Sequence, residues 1–128
     1  MTDREQLGRE NVRKIFGDAG ELVMNRVGAV SPDIARFIYE WAYADIYSRV
    51  QLNLRDRSIA TIAGLTALNT APTQLRAHIH GGLNVGLSKE EILEVILHMA
   101  LYAGFPATQN ALFIAGEEFA QREESGKG

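Results

Sequence analysis

The sequence has no cysteine and carries little excess charge of either sign. Without a thiol there can be no disulfide, no cysteine nucleophile and no cysteine-ligated zinc site. The formal net charge of −3 supplies neither the basic field that attracts nucleic acid nor a polybasic membrane anchor. We therefore expect no nucleic-acid partner and no chemistry that depends on a thiol.

Long hydrophobic runs are also missing. No apolar stretch approaches the roughly 18 residues of a membrane-spanning helix, and the polar residues 1–5 lack the apolar core of a signal peptide. These features predict a cytoplasmic protein with no membrane partner. At 128 residues, the chain is expected to form a single domain over residues 1–128.

Helix signals recur along the chain, whereas strand signals are scarce. The sequence has no convincing alternation of apolar and polar residues and no Asn-Gly hairpin turn. The predicted fold class is therefore all-α, with about six helices. Residues 21–30 are expected to form an irregular connection with a helical turn. The predicted helices cover about residues 3–16, 32–48, 54–69, 73–86, 88–104 and 106–122.

Capping residues mark several of the predicted helix starts. Ser31 precedes Pro32, so a capping hydroxyl is followed by proline at the first helical position. Thr73 is expected to cap the fourth helix. Ser88 and Glu91 have the spacing of a capping box, in which each side chain bonds to the backbone of the other residue.

The helix predicted over residues 32–48 carries a charged pair inside its apolar stripe. Asp45 and Arg49 lie one turn apart in that stripe. They form either a local ion pair at the end of the stripe or a charged pair at the mouth of an apolar pocket floored by Trp41. The stripe comprises Ile34, Phe37, Ile38, Trp41 and Ala42.

The helix predicted over residues 54–69 is apolar nearly all round, which is typical of a central helix. Arg57 lies on its side with Thr61 and Gly64, where small residues leave room. This arginine either reaches solvent or is held as an anion ligand, because its planar guanidinium suits a carboxylate. Ser58 points more towards the Ile62 side of the helix.

Two of the three histidines lie on the fourth predicted helix. By helical period, His78 borders the buried face, while His80 lies with Arg76 on the polar face. An inward histidine is either a satisfied core residue or a catalytic group. Glycines 81 and 82 suggest the close approach of another helix or of a ligand. The two rings lie about 200° apart around the helix and cannot hold one ion, so no metal site is predicted.

Several segments together resemble the carboxymuconolactone decarboxylase family, within the alkylhydroperoxidase D-like superfamily. The resemblance covers about residues 32–120 and implies an alkylhydroperoxidase D-like helical bundle. The redox branch of that superfamily has a Cys-x-x-Cys pair where residues 70–73 stand here, so thiol peroxidase chemistry is excluded by residue type. The matching segments are residues 41–49, 57–63, 67–69, 75–78, 86–92 and 102–107, followed by Asn110.

The cysteine-free branch of the family decarboxylates γ-carboxymuconolactone to the enol-lactone of the β-ketoadipate pathway of aromatic catabolism. The resemblance implies this activity, with no cofactor and with a carboxylated lactone as substrate. It also implies a homo-oligomer, expected to be a hexamer built as a trimer of dimers. Two alternatives stay open: a paralogue acting on another small carbonyl or carboxylate compound, or a non-catalytic oligomeric protein that binds a small molecule.

The resemblance also implies a set of site residues. The family histidine matches His78 and the family Arg-Ser pair matches Arg57 and Ser58, which gives the predicted catalytic group. His78 is expected to donate to an oxyanion and then to carry a proton, because the reference pKa of histidine is near neutrality. Arg57 or Arg49 would hold the carboxylate that the substrate retains. The predicted substrate-binding residues are Trp41, Asp45, Tyr47, Arg49, Phe105 and Asn110.

Overall fold

The structure, a computed structural model, describes residues 1–126. Those residues form helices and no strand, which confirms the all-α prediction. Nowhere in this part of the chain is a helix both long enough and apolar enough to span a membrane. The contacts between residues divide the chain into two compact units, Met1–Leu54 and the remainder from Arg55.

Within residues 1–126, each unit consists of four consecutive helical elements. The first contains α1 (Asp3–Phe16), α2 (Asp18–Val30), α3 (Pro32–Phe37) and a π-helical stretch, Ile38–Ile46, which we call the π segment. The second is built from α4 (Leu54–Leu68), α5 (Pro72–Asn84), α6 (Lys89–Ala103) and α7 (Phe105–Glu124).

The prediction of an irregular connection over residues 21–30 is wrong, because these residues belong to α2. Gly17, with φ of 64°, ends α1 as expected, and α2 starts at the next residue. A Cβ on Gly20 would lie 2.6 Å from Phe16 Cβ and 2.8 Å from Val12 Cγ1. Gly20 therefore allows tight packing at the turn between α1 and α2 and does not break the helix.

The helix predicted over residues 32–48 changes type and ends earlier, at residue 46. At its end the Tyr47 N–H bonds to Ala42 O, five residues back, at 3.0 Å. Asn11 Nδ2 of α1 donates to Tyr43 O at 2.6 Å. In an α-helix this carbonyl would accept from the Tyr47 N–H. Asn11 therefore replaces the lost α-helical bond and stabilises the wider π turn.

The apolar stripe predicted on this helix is not its buried face. A π-turn, with hydrogen bonds between residues five apart, holds more residues than an α-turn. A helical wheel drawn at 100° per residue therefore assigns residues of the π segment to the wrong face. The π segment instead buries Tyr39, Glu40 and Ala44. α1 approaches its backbone so closely that a Cβ on Gly8 would lie 2.0 Å from Tyr39 O. The residues of the predicted stripe that are exposed are Ile34, Phe37 and Trp41.

The second unit has a continuous apolar core, although α4 is not buried all round as predicted. α4 buries a single stripe at four-residue spacing, Ser58, Ile62 and Thr66, while Gly64 and Leu68 are exposed. Although α4 is rich in apolar residues, it is buried along one stripe only and is not a central helix. The core residues are Ile62, Leu75, Ile79, Leu87, Ile92, Ile96, Ala111 and Ala115.

Two of the three predicted caps are present. The Ser31 hydroxyl accepts from the backbone at the start of α3, and the Ser88 capping box opens α6 with both of its bonds. The predicted Thr73 cap is wrong. α5 begins at Pro72, after Ala71, and has no side-chain cap. Proline at the first helical position fixes this start, because its φ already suits a helix.

Candidate active site

The packing of α4 against α5 positions two of the predicted catalytic residues. A Cβ on Gly82 would lie 3.2 Å from Ile62 Cδ1 and 3.7 Å from Ser58 Cβ, so the two helices approach closely at this glycine, as predicted. His78 lies one turn before Gly82, on the same face of α5. Ser58 therefore packs against the face of α5 that carries His78.

The imidazole of His78 is neutral at physiological pH. Burial disfavours its charged form and lowers the pKa of His78 from 6.5 to about 4. The expected role as a proton carrier rested on the reference pKa of histidine, which does not include this loss of solvation. A neutral imidazole offers one N–H donor and one acceptor nitrogen. It can hydrogen-bond to a developing oxyanion, but it does not store a proton at pH 7.

Ser58 and Arg57 lie together near the start of α4. The Ser58 side chain is buried, whereas Arg57 is partly buried. A guanidinium stays charged throughout the physiological pH range. The start of α4 thus combines a fixed positive charge with a buried hydroxyl, directly beside the helix that carries His78.

His80 belongs to a separate polar network between α5 and α7, which the sequence did not reveal. Its Nδ1 lies 3.0 Å from Glu118 Oε2 and 3.3 Å from Arg122 Nη1. Arg122 Nη1 also donates to Asn84 Oδ1 at 3.1 Å, and Arg76 Nε lies 3.4 Å from Glu118 Oε1. The signal in the sequence that could have indicated this network is the four-residue spacing of charged and polar groups on both α5 and α7. The buried Glu118 and Arg122 give the network a structural role in joining α5 to α7.

Asp45, in the first unit, is bound by an arginine that is distant in sequence. Arg4 donates through Nε and Nη2 to the two carboxylate oxygens of Asp45, at 3.1 and 2.7 Å. This hydrogen-bonded contact lowers the pKa of Asp45. From the sequence, Arg49 is the expected partner of Asp45 in both alternatives. The structure shows that its carboxylate also ties the π segment to α1.

The other predicted residues of the first unit lie on or just after the π segment. Trp41 is 65% exposed, so the proposed floor of a buried pocket is not formed by this residue within the unit. The Tyr47 ring packs against Tyr43, with ring centroids 4.8 Å apart. Arg49 follows the segment and is exposed.

The two predicted residues of α7 lie near its start. Phe105 is 68% exposed and does not exclude water from a buried site within the second unit. Asn110 Nδ2 donates to Asn69 Oδ1 at 2.9 Å, and both residues line a cavity that His78, Arg57 and Ser58 do not line. Across residues 1–126, no three His, Asp or Glu side chains converge in a way that could hold a metal ion.

The model of the carboxymuconolactone decarboxylase family matches residues 32–117, a span that includes His78, Arg57 and Ser58. The chain belongs to this family. The carboxymuconolactone decarboxylase family thus accounts for most of the chain, from the start of α3 into α7.

Curated relatives agree with this family assignment. The chain is 38% identical over 115 residues to a 4-carboxymuconolactone decarboxylase of Acinetobacter baylyi, covering 90% of this chain and 79% of that protein. It is 31% identical over 90 residues to the nitrosuccinic acid decarboxylase of Metarhizium robertsii, covering 70% and 62% of the two chains. An uncharacterised protein of Paracoccus denitrificans is 30% identical over 120 residues, or 93% of this chain and 90% of that protein. Two of these three proteins are named as decarboxylases, which supports decarboxylase activity in the family.

Proposed function

We propose that this chain is a carboxy-lyase that decarboxylates γ-carboxymuconolactone or a closely related carboxylated lactone, without a cofactor. The observation that carries the proposal is the partly buried, neutral imidazole of His78 on a helix face packed against Ser58, in a chain of this family. The 38% identity to a 4-carboxymuconolactone decarboxylase supports the choice of substrate.

The reaction requires stabilisation of negative charge more than covalent chemistry. The bond between the ring carbon and the carboxylate breaks, carbon dioxide leaves, and the electron pair is delocalised onto the lactone carbonyl oxygen. A proton is then delivered to carbon. A site that lowers this barrier must bind the developing oxyanion in a poorly solvated environment, where a hydrogen bond is stronger than in water.

His78 is the proposed donor to that oxyanion. With a pKa of about 4, its neutral N–H donates a hydrogen bond without the cost of burying an imidazolium. The same value argues against a stored proton on His78. The proton that reaches carbon therefore comes from solvent, and the buried hydroxyl of Ser58 is the proposed group to orient that water.

Arg57 is the proposed anchor for the carboxylate that the product retains. Its guanidinium can bind a carboxylate through two parallel hydrogen bonds. It lies next to Ser58 in sequence at the start of α4. In this arrangement the fixed charge holds the end of the substrate that does not react, while His78 acts on the lactone carbonyl.

The wild-type chain offers a direct test of substrate class. Ultraviolet absorbance should show consumption of γ-carboxymuconolactone by the purified protein, and the rate should be unchanged after treatment with a chelator. Release of carbon dioxide equimolar with the lactone consumed would support decarboxylation. A folded protein that leaves the lactone untouched would contradict the proposed substrate.

A second candidate function is decarboxylation of a different small carboxylated compound. The 31% identity to a nitrosuccinic acid decarboxylase favours it, because that relative acts on an open-chain acid. The same assay with nitrosuccinate beside the lactone separates the two functions. No turnover of either compound, with saturable binding of one, would favour a non-catalytic binding protein.

A further inference from the structure

α6 exposes a stripe of leucine side chains that the rest of the described chain does not cover. Leu93, Leu97 and Leu101 follow one another at four-residue spacing and are 38%, 57% and 73% exposed. The residues of α6 that pack into the core of the second unit are Ile92 and Ile96, on the other side of the helix. The leucine stripe is therefore a second apolar face, which is typical of a surface that packs against another protein.

A polar stripe runs beside the leucine stripe on the same exposed face. Glu90, Glu94, His98 and Tyr102 follow one another at the same four-residue spacing, and all four are exposed. The two acids occupy the N-terminal half of the stripe. His98 and Tyr102, whose ring centroids lie 5.6 Å apart, occupy the C-terminal half. Within residues 1–126, Glu94 and His98 form no hydrogen bond or ion pair, so both are available to a partner.

The polarity of this face makes it complementary to itself in one orientation. A second copy of α6, turned end for end about a two-fold axis at Leu97, places its Leu101 opposite Leu93 and keeps the two polar stripes on the same side of the pair. At a rise of about 1.5 Å per residue, Glu94 then lies roughly 3 Å along the axis from His98 of the second copy. The antiparallel arrangement also opposes the two helix dipoles. In a parallel pair each residue lies level with its own copy, and Glu94 gains no such partner.

We propose that α6 packs antiparallel against α6 of a second copy of this chain, across a two-fold axis at Leu97. The leucine stripes of the two copies form the apolar centre of the interface, and Glu94 of each copy contacts His98 of the other at its rim. The match of acid to imidazole selects a second copy as the occupant. Another protein or a lipid would have to supply the same asymmetry independently.

Because the chain has no cysteine, disulfide cross-linking tests the orientation directly. Leu93→Cys and Leu101→Cys proteins are oxidised separately, and also as an equimolar mixture that has been allowed to exchange subunits. In the antiparallel pair, position 93 lies about 12 Å along the axis from position 93 of the other copy, and the same holds for position 101. A disulfide spans at most about 7 Å between Cα atoms. Each variant alone should therefore give no covalent dimer, whereas the mixture should give one that contains a chain of each kind, identified by its mass.

Charge exchange between two chains tests the contact of Glu94 with His98. Glu94→Lys and His98→Glu should each weaken self-association at least about fivefold in analytical ultracentrifugation, because each removes or reverses two symmetry-related contacts. A mixture of the two variants should associate as tightly as the wild type, since the mixed pair again has opposite charges at both contacts. Glu10→Lys, the same change at an exposed position of α1, is the matched control and should leave the affinity unchanged. Far-ultraviolet circular dichroism verifies that each variant is folded.

Three outcomes would overturn the proposal. A covalent dimer formed by Leu93→Cys alone or by Leu101→Cys alone would show a parallel pair. Charge variants that associate no better in the mixture than separately would show that Glu94 and His98 do not meet across the interface. A monomeric wild-type protein would show that the leucine stripe serves a different partner or none. None of these results depends on whether the chain decarboxylates a lactone.

Discussion

At the scale of single residues, the side chain whose protonation state matters most is His78. Helical period placed it at the border of a buried face, and the family resemblance selected it from three histidines. Neither gave its pKa, because the loss of solvation depends on how the neighbouring helices cover the ring. The structure shows that burial lowers this pKa from 6.5 to about 4, which changes the chemistry available to the residue.

The pKa of His78 predicts a pH-dependent stability. Between pH 6.5 and about 4 the unfolded chain binds a proton at His78 that the folded chain does not bind. The free energy of unfolding therefore has its full value above pH 6.5. It falls as the pH decreases, and protonation of this group accounts for up to about 3 kcal/mol of the fall. Urea unfolding at pH 7 and pH 4.5 should show a larger loss for the wild type than for His78→Gln. Equal losses in the two proteins would contradict the assigned pKa.

At the scale of elements, helix ends set by local chemistry were predictable. Ser31 and Ser88 cap their helices as expected, and glycines end α1 and α6. Elements that depend on a distant contact were not predictable. The π turn depends on a hydrogen bond from the Asn11 amide of α1 to the carbonyl of Tyr43. No pattern within residues 32–48 indicates that contact. The faces of that helix were misassigned for the same reason.

The role of Asn11 in the π segment can be tested by mutation. Asn11→Ala should destabilise the chain by about 1–3 kcal/mol, because Tyr43 O is left without this donor. Chemical denaturation measures the change in unfolding free energy. Asn25→Ala, an exposed asparagine on α2, is the control and should change stability by less than about 0.5 kcal/mol. Equal effects of the two substitutions would show that Asn11 does not support the π turn.

At the scale of the whole molecule, α6 leaves an apolar stripe uncovered. Leu93, Leu97 and Leu101 follow one another at four-residue spacing, and the last two are 57% and 73% exposed. Contiguous exposed apolar surface of this kind is typical of an interface. The expected hexamer, the single domain over residues 1–128 and the cytoplasmic location stay predictions.

The uncovered stripe predicts an effect of charge on assembly. We expect Leu97→Lys to lower the molar mass measured by size-exclusion chromatography with light scattering, because a lysine would be buried between copies of the chain. Gln51→Lys adds the same charge at an exposed polar position and should leave the mass unchanged. A wild-type protein that elutes as a monomer, or a variant with unchanged mass, would contradict the interface.

The family membership was recognisable from the sequence, because its motifs are contiguous stretches of residues. The candidate site was predictable only in part. His78 and Ser58 do lie on helices packed together at Gly82, but Asn110 lines a separate cavity and Asp45 is bound by Arg4. Which side chains meet is decided by packing between helices, and that information is not contained in the period of any one helix.

The most direct test of the proposed mechanism is the turnover number of His78→Gln with γ-carboxymuconolactone, compared with His80→Gln from the same helix. We expect a loss of about a hundredfold or more for His78→Gln, with thermal melting confirming that the variant is folded. His80→Gln, if folded, should turn over at close to the wild-type rate, since His80 belongs to the separate network with Glu118. A folded His78→Gln protein with wild-type turnover would show that His78 does not stabilise the oxyanion.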